Sequence, residues 1–116
     1  NNIAWNVAHL VVSEQLLCYR LSGLPCSISD DWIERFKKGT MPSDSIDDSL
    51  FKKVLVHFKK QPRLLKHDFE EKIFKSYSPY TTSANVTLKS IDDAIVFNTY
   101  HEGIHLGIIL QLLKLI

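Results

Sequence analysis

The chain has 116 residues, 45% of them apolar, with fourteen basic and thirteen acidic side chains for a formal charge of +1. That length suits one domain with a single core, and the even charge balance gives no electrostatic case for nucleic acid or an acidic membrane surface. The two cysteines, Cys18 and Cys26, lack CxxC spacing and are too few for a secreted disulfide scaffold. With no membrane-length apolar run and no signal peptide, they point to a reduced, cytoplasmic setting.

From Ile3 to Leu21, apolar residues recur at three- and four-residue spacing through Val7, Leu10, Val11, Leu17 and Leu21, with Glu14 on the same stripe. This pattern predicts an amphipathic helix, stopped by Gly23 and Pro25. A short helix follows over Asp30–Lys38, with an acidic start and basic end that suit the helix dipole. Gly39, Pro42 and Ser43-Asp44-Ser45 mark a loop. Leu50, Val54, Leu55, Phe58, Leu65, Phe69 and Ile73 predict a long helix from about Asp47 to about Phe74, kinked or split at Pro62. Ser76–Ser90 reads as an ordered loop with a short extended piece around Val86–Leu88. The last helix runs from Ile91 to Ile116, capped by Ser90 with Asp92 and Asp93 in its first turn. It is apolar almost all round near Ile104–Leu110, which predicts a central position.

Three long helices without a convincing strand give an all-α bundle. A fourth helix would complete the packing. The chain opens Asn1-Asn2 already inside an apolar pattern, so a preceding first helix is expected to be missing from it.

Chemistry concentrates on histidine. His101 and His105 are four residues apart, so both rings leave one face of a helix about one turn apart. Their neighbours are apolar, and an unpaired imidazole there is costly. Two histidines do not fill a coordination sphere, so a third ligand is needed. His9 is the best third donor, midway along an apolar helix with Trp5 one turn before it. The plainer alternative is that each is a hydrogen-bonded core histidine. His57 and His67, flanked by lysines, read as surface residues.

His101-Glu102-Gly103-Ile104-His105 also fits H-E-x-x-H, in which two histidines bind zinc and the glutamate serves as general base. Only eleven residues follow His105, which leaves little room for a further ligand. The extended protease motif would need Gly and His where Ile108 and Gln111 stand. Glu102 itself reads as an exposed, salt-bridging residue, Asn6 and Glu14 as cleft residues, and Trp5 as core.

Taken together these stretches resemble the DinB/YfiT-like superfamily. Ile3–Leu10 is similar to its second helix, where a tryptophan precedes the first ligand histidine by a turn. Trp32-Ile33-Glu34-Arg35-Phe36 with Lys38-Gly39-Thr40 resembles its connecting segment, and His101–Ile109 its last helix. The resemblance implies a four-helix bundle of up-down-down-up topology with one divalent metal ion, zinc or nickel, on His9, His101 and His105. It further implies a metal-dependent transferase that joins a low-molecular-weight thiol to a small electrophile. The alternative is a non-catalytic, metal-stabilised bundle serving as an interaction module. The apolar last helix also suits a homodimer.

Overall fold

The computed structural model describes residues 2–42 and 46–116; the expected loop residues Ser43–Ser45 lie outside them. Helix α1 (Ile3–Glu14) starts where Asn2, in extended backbone, turns its side chain back to accept the Trp5 N–H at 2.7 Å. This satisfies one of the donors that a helix start leaves free. The rod continues past Glu14 as a π turn over Gln15–Tyr19, then a 3₁₀ turn over Arg20–Ser22, and stops at Gly23 with φ 75°. Glycine adopts that left-handed conformation without a steric cost. The single helix expected over Ile3–Leu21 is therefore one rod with two changes of pitch. Apolar spacing does not register the extra residue of a π turn. Within that turn, Gln15 spends its side chain on Gln61 and on the Ser27 N–H.

Helix α2 (Asp30–Phe36) is capped by Ser29, which accepts the Trp32 N–H at 3.3 Å. It ends earlier than the expected Lys38, because Lys37 is extended with ψ 166°. That early stop leaves the Phe36 carbonyl free for a tertiary partner. Helix α3 (Asp48–Glu70) is capped by Asp47, which accepts the Leu50 N–H at 2.7 Å. It runs unbroken through Pro62. Pro62 and the neighbouring Phe58-Lys59-Lys60 face outward, so water can take the carbonyl that proline deprives of a donor. The helix stops at Glu70 rather than near Phe74.

The segment expected as a loop holds a small antiparallel hairpin. Its strands β1 (Tyr80–Thr81) and β2 (Thr87–Leu88) pair Tyr80 with Leu88 and Thr81 with Thr87. Two-residue strands leave too short a period to read from sequence. Helix α4 (Ile91–Leu113) is capped by Ser90 at the Asp93 N–H, as expected, and ends three residues short of Ile116.

Among the described residues this makes a mostly helical, all-α bundle, with α1 at its hub. Helix α1 packs on α2, α3 and α4, and every residue from Trp5 to Glu14 is buried. One core cluster joins Trp5, Val7, Ala8, Val11 and Val12 to Ile33, Phe36 and Val54. A second joins Cys18 and Tyr19 to Leu65, Leu88 and Ala94. Each fully buried side chain of this kind contributes roughly 1.5–3 kcal/mol. The last helix is not the central one. Val96, Tyr100, Ile104, Leu106, Leu110 and Leu113 are exposed along α4. An all-round apolar surface does not choose which side it buries; α4 buries the side that meets α1.

Candidate metal centre and its pocket

Helix α1 delivers His9 and α4 delivers His101 and His105 to one point. Each ring offers a nitrogen, and these three atoms lie within 4.8 Å of one another. Ring centroids are 4.8 Å apart for His9 and His105, 5.1 Å for His9 and His101, and 4.6 Å for His101 and His105. The structure thus brings together all three histidines singled out in the sequence. It keeps His57 and His67 away from them: His67 is exposed, and His57 is half-buried with its ring edge on Trp32, 5.2 Å between centroids.

Two of the three rings are held by their outward nitrogens. The early end of α2 presents the Phe36 carbonyl to His9 Nδ1 at 2.7 Å, so that nitrogen carries the proton and donates. The Asn6 amide donates to the Asn2 carbonyl at 2.8 Å, which turns its Oδ1 toward His105 Nδ1, 2.7 Å away. His105 Nδ1 must then donate as well. In both rings the Nε2 lone pair is left for the shared centre, the arrangement in which a metal-ligating histidine gives its other N–H to a carbonyl. Trp5 stacks on His9, 8° from parallel at 4.8 Å, and fixes the ring plane. Trp5 is therefore both core and wall of the site.

The donors suit a cation. Burial lowers the pKa of His9, the Phe36 hydrogen bond opposing it only in part. Burial, then the neighbouring His105 and His9, pulls His101 down to about 4. Burial and His9 lower His105. All three are neutral ligands at pH 7, the state in which imidazole binds a metal. His101 Nδ1 is buried with no hydrogen-bond partner, a polar atom that costs roughly 1–3 kcal/mol when left unsatisfied. Tetrahedral Zn–N bonds of about 2.0–2.1 Å would need the three nitrogens somewhat closer than they stand.

The centre opens into a pocket of about 530 Å³. Its lining includes the apolar Leu16, Leu17, Leu21 and Phe97 and the polar Arg20, Lys38, Tyr80, Thr82 and Ser83. Ser13 stands beside the centre, its hydroxyl 3.4 Å from His9 Nε2.

Glu102 lies elsewhere. Among the described residues it makes no salt bridge; it is half-buried and accepts from the Asn98 amide at 2.9 Å. That same amide reaches Glu14 at 3.5 Å, and Glu14 accepts from Gln61 at 2.9 Å. Glu14, Asn98 and Glu102 line a second cleft with Pro62 and Leu65, on a side of α4 away from the three-histidine pocket. The H-E-x-x-H string therefore lacks a glutamate facing the pocket, and the peptidase reading loses its general base. Asn6, expected in a cleft, is fully buried beneath the centre.

Apolar spacing pointed neither to Gln61 or Asn98 nor to the Phe36 carbonyl as a brace. A signal existed for the first two. Gln61 falls on the stripe of Val54 and Leu65, and Asn98 on that of Ala94, His101 and His105, as Glu14 falls among the valines of α1. Three polar residues in three apolar stripes meet one another in the interior.

An all-α bundle with a three-histidine, carbonyl-braced cluster at the base of a pocket is the class that the fold and geometry define. The chain belongs to the DinB superfamily, whose family model matches residues 1–109. No curated protein and no solved structure matches it. Among the described residues, no helix is long and apolar enough to cross a membrane.

Proposed function

We propose that the chain binds one divalent metal ion through His9, His101 and His105 and uses it to transfer a low-molecular-weight thiol to a small electrophile. The observation that carries the reading is the convergence of the three ring nitrogens, two of them already oriented by Phe36 and Asn6. Bound there, the ion would supply Lewis acidity that favours a thiol's deprotonated, nucleophilic form at neutral pH. Imidazole suits zinc and nickel alike.

The chain's own residues would supply the rest. The hydrogen bonds from His9 and His105 hold the imidazoles in register, and the Trp5 face limits their rotation. Leu16, Leu17, Leu21 and Phe97 would exclude water from the reacting carbon of an apolar electrophile. In such a transfer the sulfur gives up its proton, bonds to the electrophilic carbon, and a leaving group departs with its electron pair. The proton leaves to water, and the Ser13 hydroxyl, beside His9 Nε2, would offer a hydrogen bond to a group held at the centre.

Metal content by plasma mass spectrometry, in the wild type and in His9→Ala, His101→Ala and His105→Ala, tests the first half. Near-stoichiometric metal lost in all three variants supports it; metal-free protein after attempted remetallation overturns it. Conjugation of several thiols to a chlorobimane dye tests the second half. A metal-loaded protein inert toward all of them would leave the non-catalytic bundle as the better reading.

A further inference from the structure

The second cleft takes no part in the chemistry proposed above. Helices α3 and α4 both pack on α1, and the cleft between them, about 480 Å³, reaches down to Glu14. Glu14 and Asn98 form its floor, 3% and 4% exposed. Pro62, Leu65, Phe69 and Ile95 supply apolar walls. One amide ties two carboxylates together there: Asn98 Nδ2 donates to Glu102 Oε1 at 2.9 Å and reaches Glu14 Oε1 at 3.5 Å. Acids from α1 and α4 thus face one small space. The rod changes to its π turn directly after Glu14, and single π turns recur at functional sites.

This space lacks a donor and a positive charge. Asn98 Oδ1, on the cleft floor, is buried and accepts from nothing, a state that buried polar atoms rarely keep. Among the described residues neither carboxylate makes a salt bridge; the ion pairs lie elsewhere, Arg20 with Asp30 and Lys37 with Glu34. The exposed Lys66 and Asp92 also line the cleft, and their opposite charges leave the two glutamates uncompensated. Acids buried side by side without a counter-charge weaken a fold, so stability does not account for them. A bare divalent ion would need carboxylate oxygens at about 2.0–2.6 Å, in the space that Asn98 Nδ2 holds. An ammonium group donates to their remaining lone pairs and leaves that amide in place, and an alkyl stem suits the apolar walls.

We infer that this cleft binds a small aliphatic primary amine, its ammonium group on Glu14, Glu102 and Asn98 Oδ1 and its alkyl chain along Leu65 and Phe69. The site is separate from the three-histidine centre, although Glu102 follows His101 on α4, and it does not depend on a metal.

The test is calorimetric titration of the full chain with n-pentylamine and n-pentanol, matched in length and differing in the charged end. The wild type is expected to bind the amine about tenfold more tightly than the alcohol, a preference that charge-assisted hydrogen bonds sustain in an open cleft. In the doubly substituted E14Q/E102Q protein that preference disappears, while circular dichroism and bound metal stay unchanged. Should the double variant fail to fold, E102Q alone, at the half-buried position, decides by the same criterion with a smaller loss. Equal affinities in the wild type, or a preference that survives the substitutions, overturns the proposal. Amine binding that vanishes when a chelator strips the metal also overturns it, because the amine would then be a ligand of the three-histidine centre. Displacement of the amine by magnesium or calcium does the same, by making the two glutamates an ion site.

Discussion

Replacing Glu14 with glutamine should make the protein more stable, and only above about pH 5. Glu14 is 3% exposed. Burial, then the negative charge of Glu102, raises its pKa from the ordinary 4.5 to about 7, against the opposing Gln61 hydrogen bond. The fold favours the protonated acid. Its contribution is whole below about pH 4.5, where folded and unfolded chains are both protonated, and is lost as pH rises through about 7. At ~1.4 kcal/mol per unit, the buried carboxylate costs about 3 kcal/mol at pH 8.

Glutamine removes the charge and keeps the shape. It also trades one acceptor for a donor, which would cost about 1 kcal/mol if a hydrogen bond were lost. Asn98 does not offset that loss, because its NH₂ stays committed to Glu102. The net expectation is about 2 kcal/mol of added stability at pH 8. Urea unfolding in the presence of a chelator would read this as a midpoint raised by roughly 1–2 M, shrinking to nothing by pH 5. Equal midpoints at pH 8, or a less stable variant there, would refute the buried-acid account of this network.

Other substitutions follow from the same contacts. Asn6→Ala removes the acceptor that fixes the His105 tautomer, and should weaken metal binding by about 10–100-fold without abolishing it, measured by competition with a chromophoric chelator. Phe36→Ala empties one of the largest fully buried sites and should cost about 3–5 kcal/mol in denaturant unfolding. Pro62→Ala restores the missing N–H inside α3 at an exposed position, and should raise stability by about 1–3 kcal/mol; a fall in the melting temperature would mean that the proline geometry is itself needed by the packing of α3.

Much of this protein can be read without coordinates because its signals are local. The caps at Ser90 and the stop at Gly23 follow from backbone donors and φ preferences within a few residues. The His101/His105 pair follows from helical pitch, and His9 from an imidazole stranded on an apolar stripe. The same local character explains what was misplaced. Pro62 forecasts a break only if its freed carbonyl is denied water, and exposure is a tertiary property. The all-round apolar run in α4 measures how much surface could be buried, not which neighbour will bury it, and α1 took the centre.

What the tertiary structure alone decided is the company each polar group keeps. Glu102 sits one residue from a histidine of the cluster yet faces Glu14, residues away by the dozen, through Asn98. The Phe36 carbonyl becomes a brace for His9 because α2 ends where Lys37 extends. Sequence sets helices by interactions within one turn; a site is set by groups that meet across long chain separations, where hydrogen bonding and burial are satisfied by partners no spacing rule names.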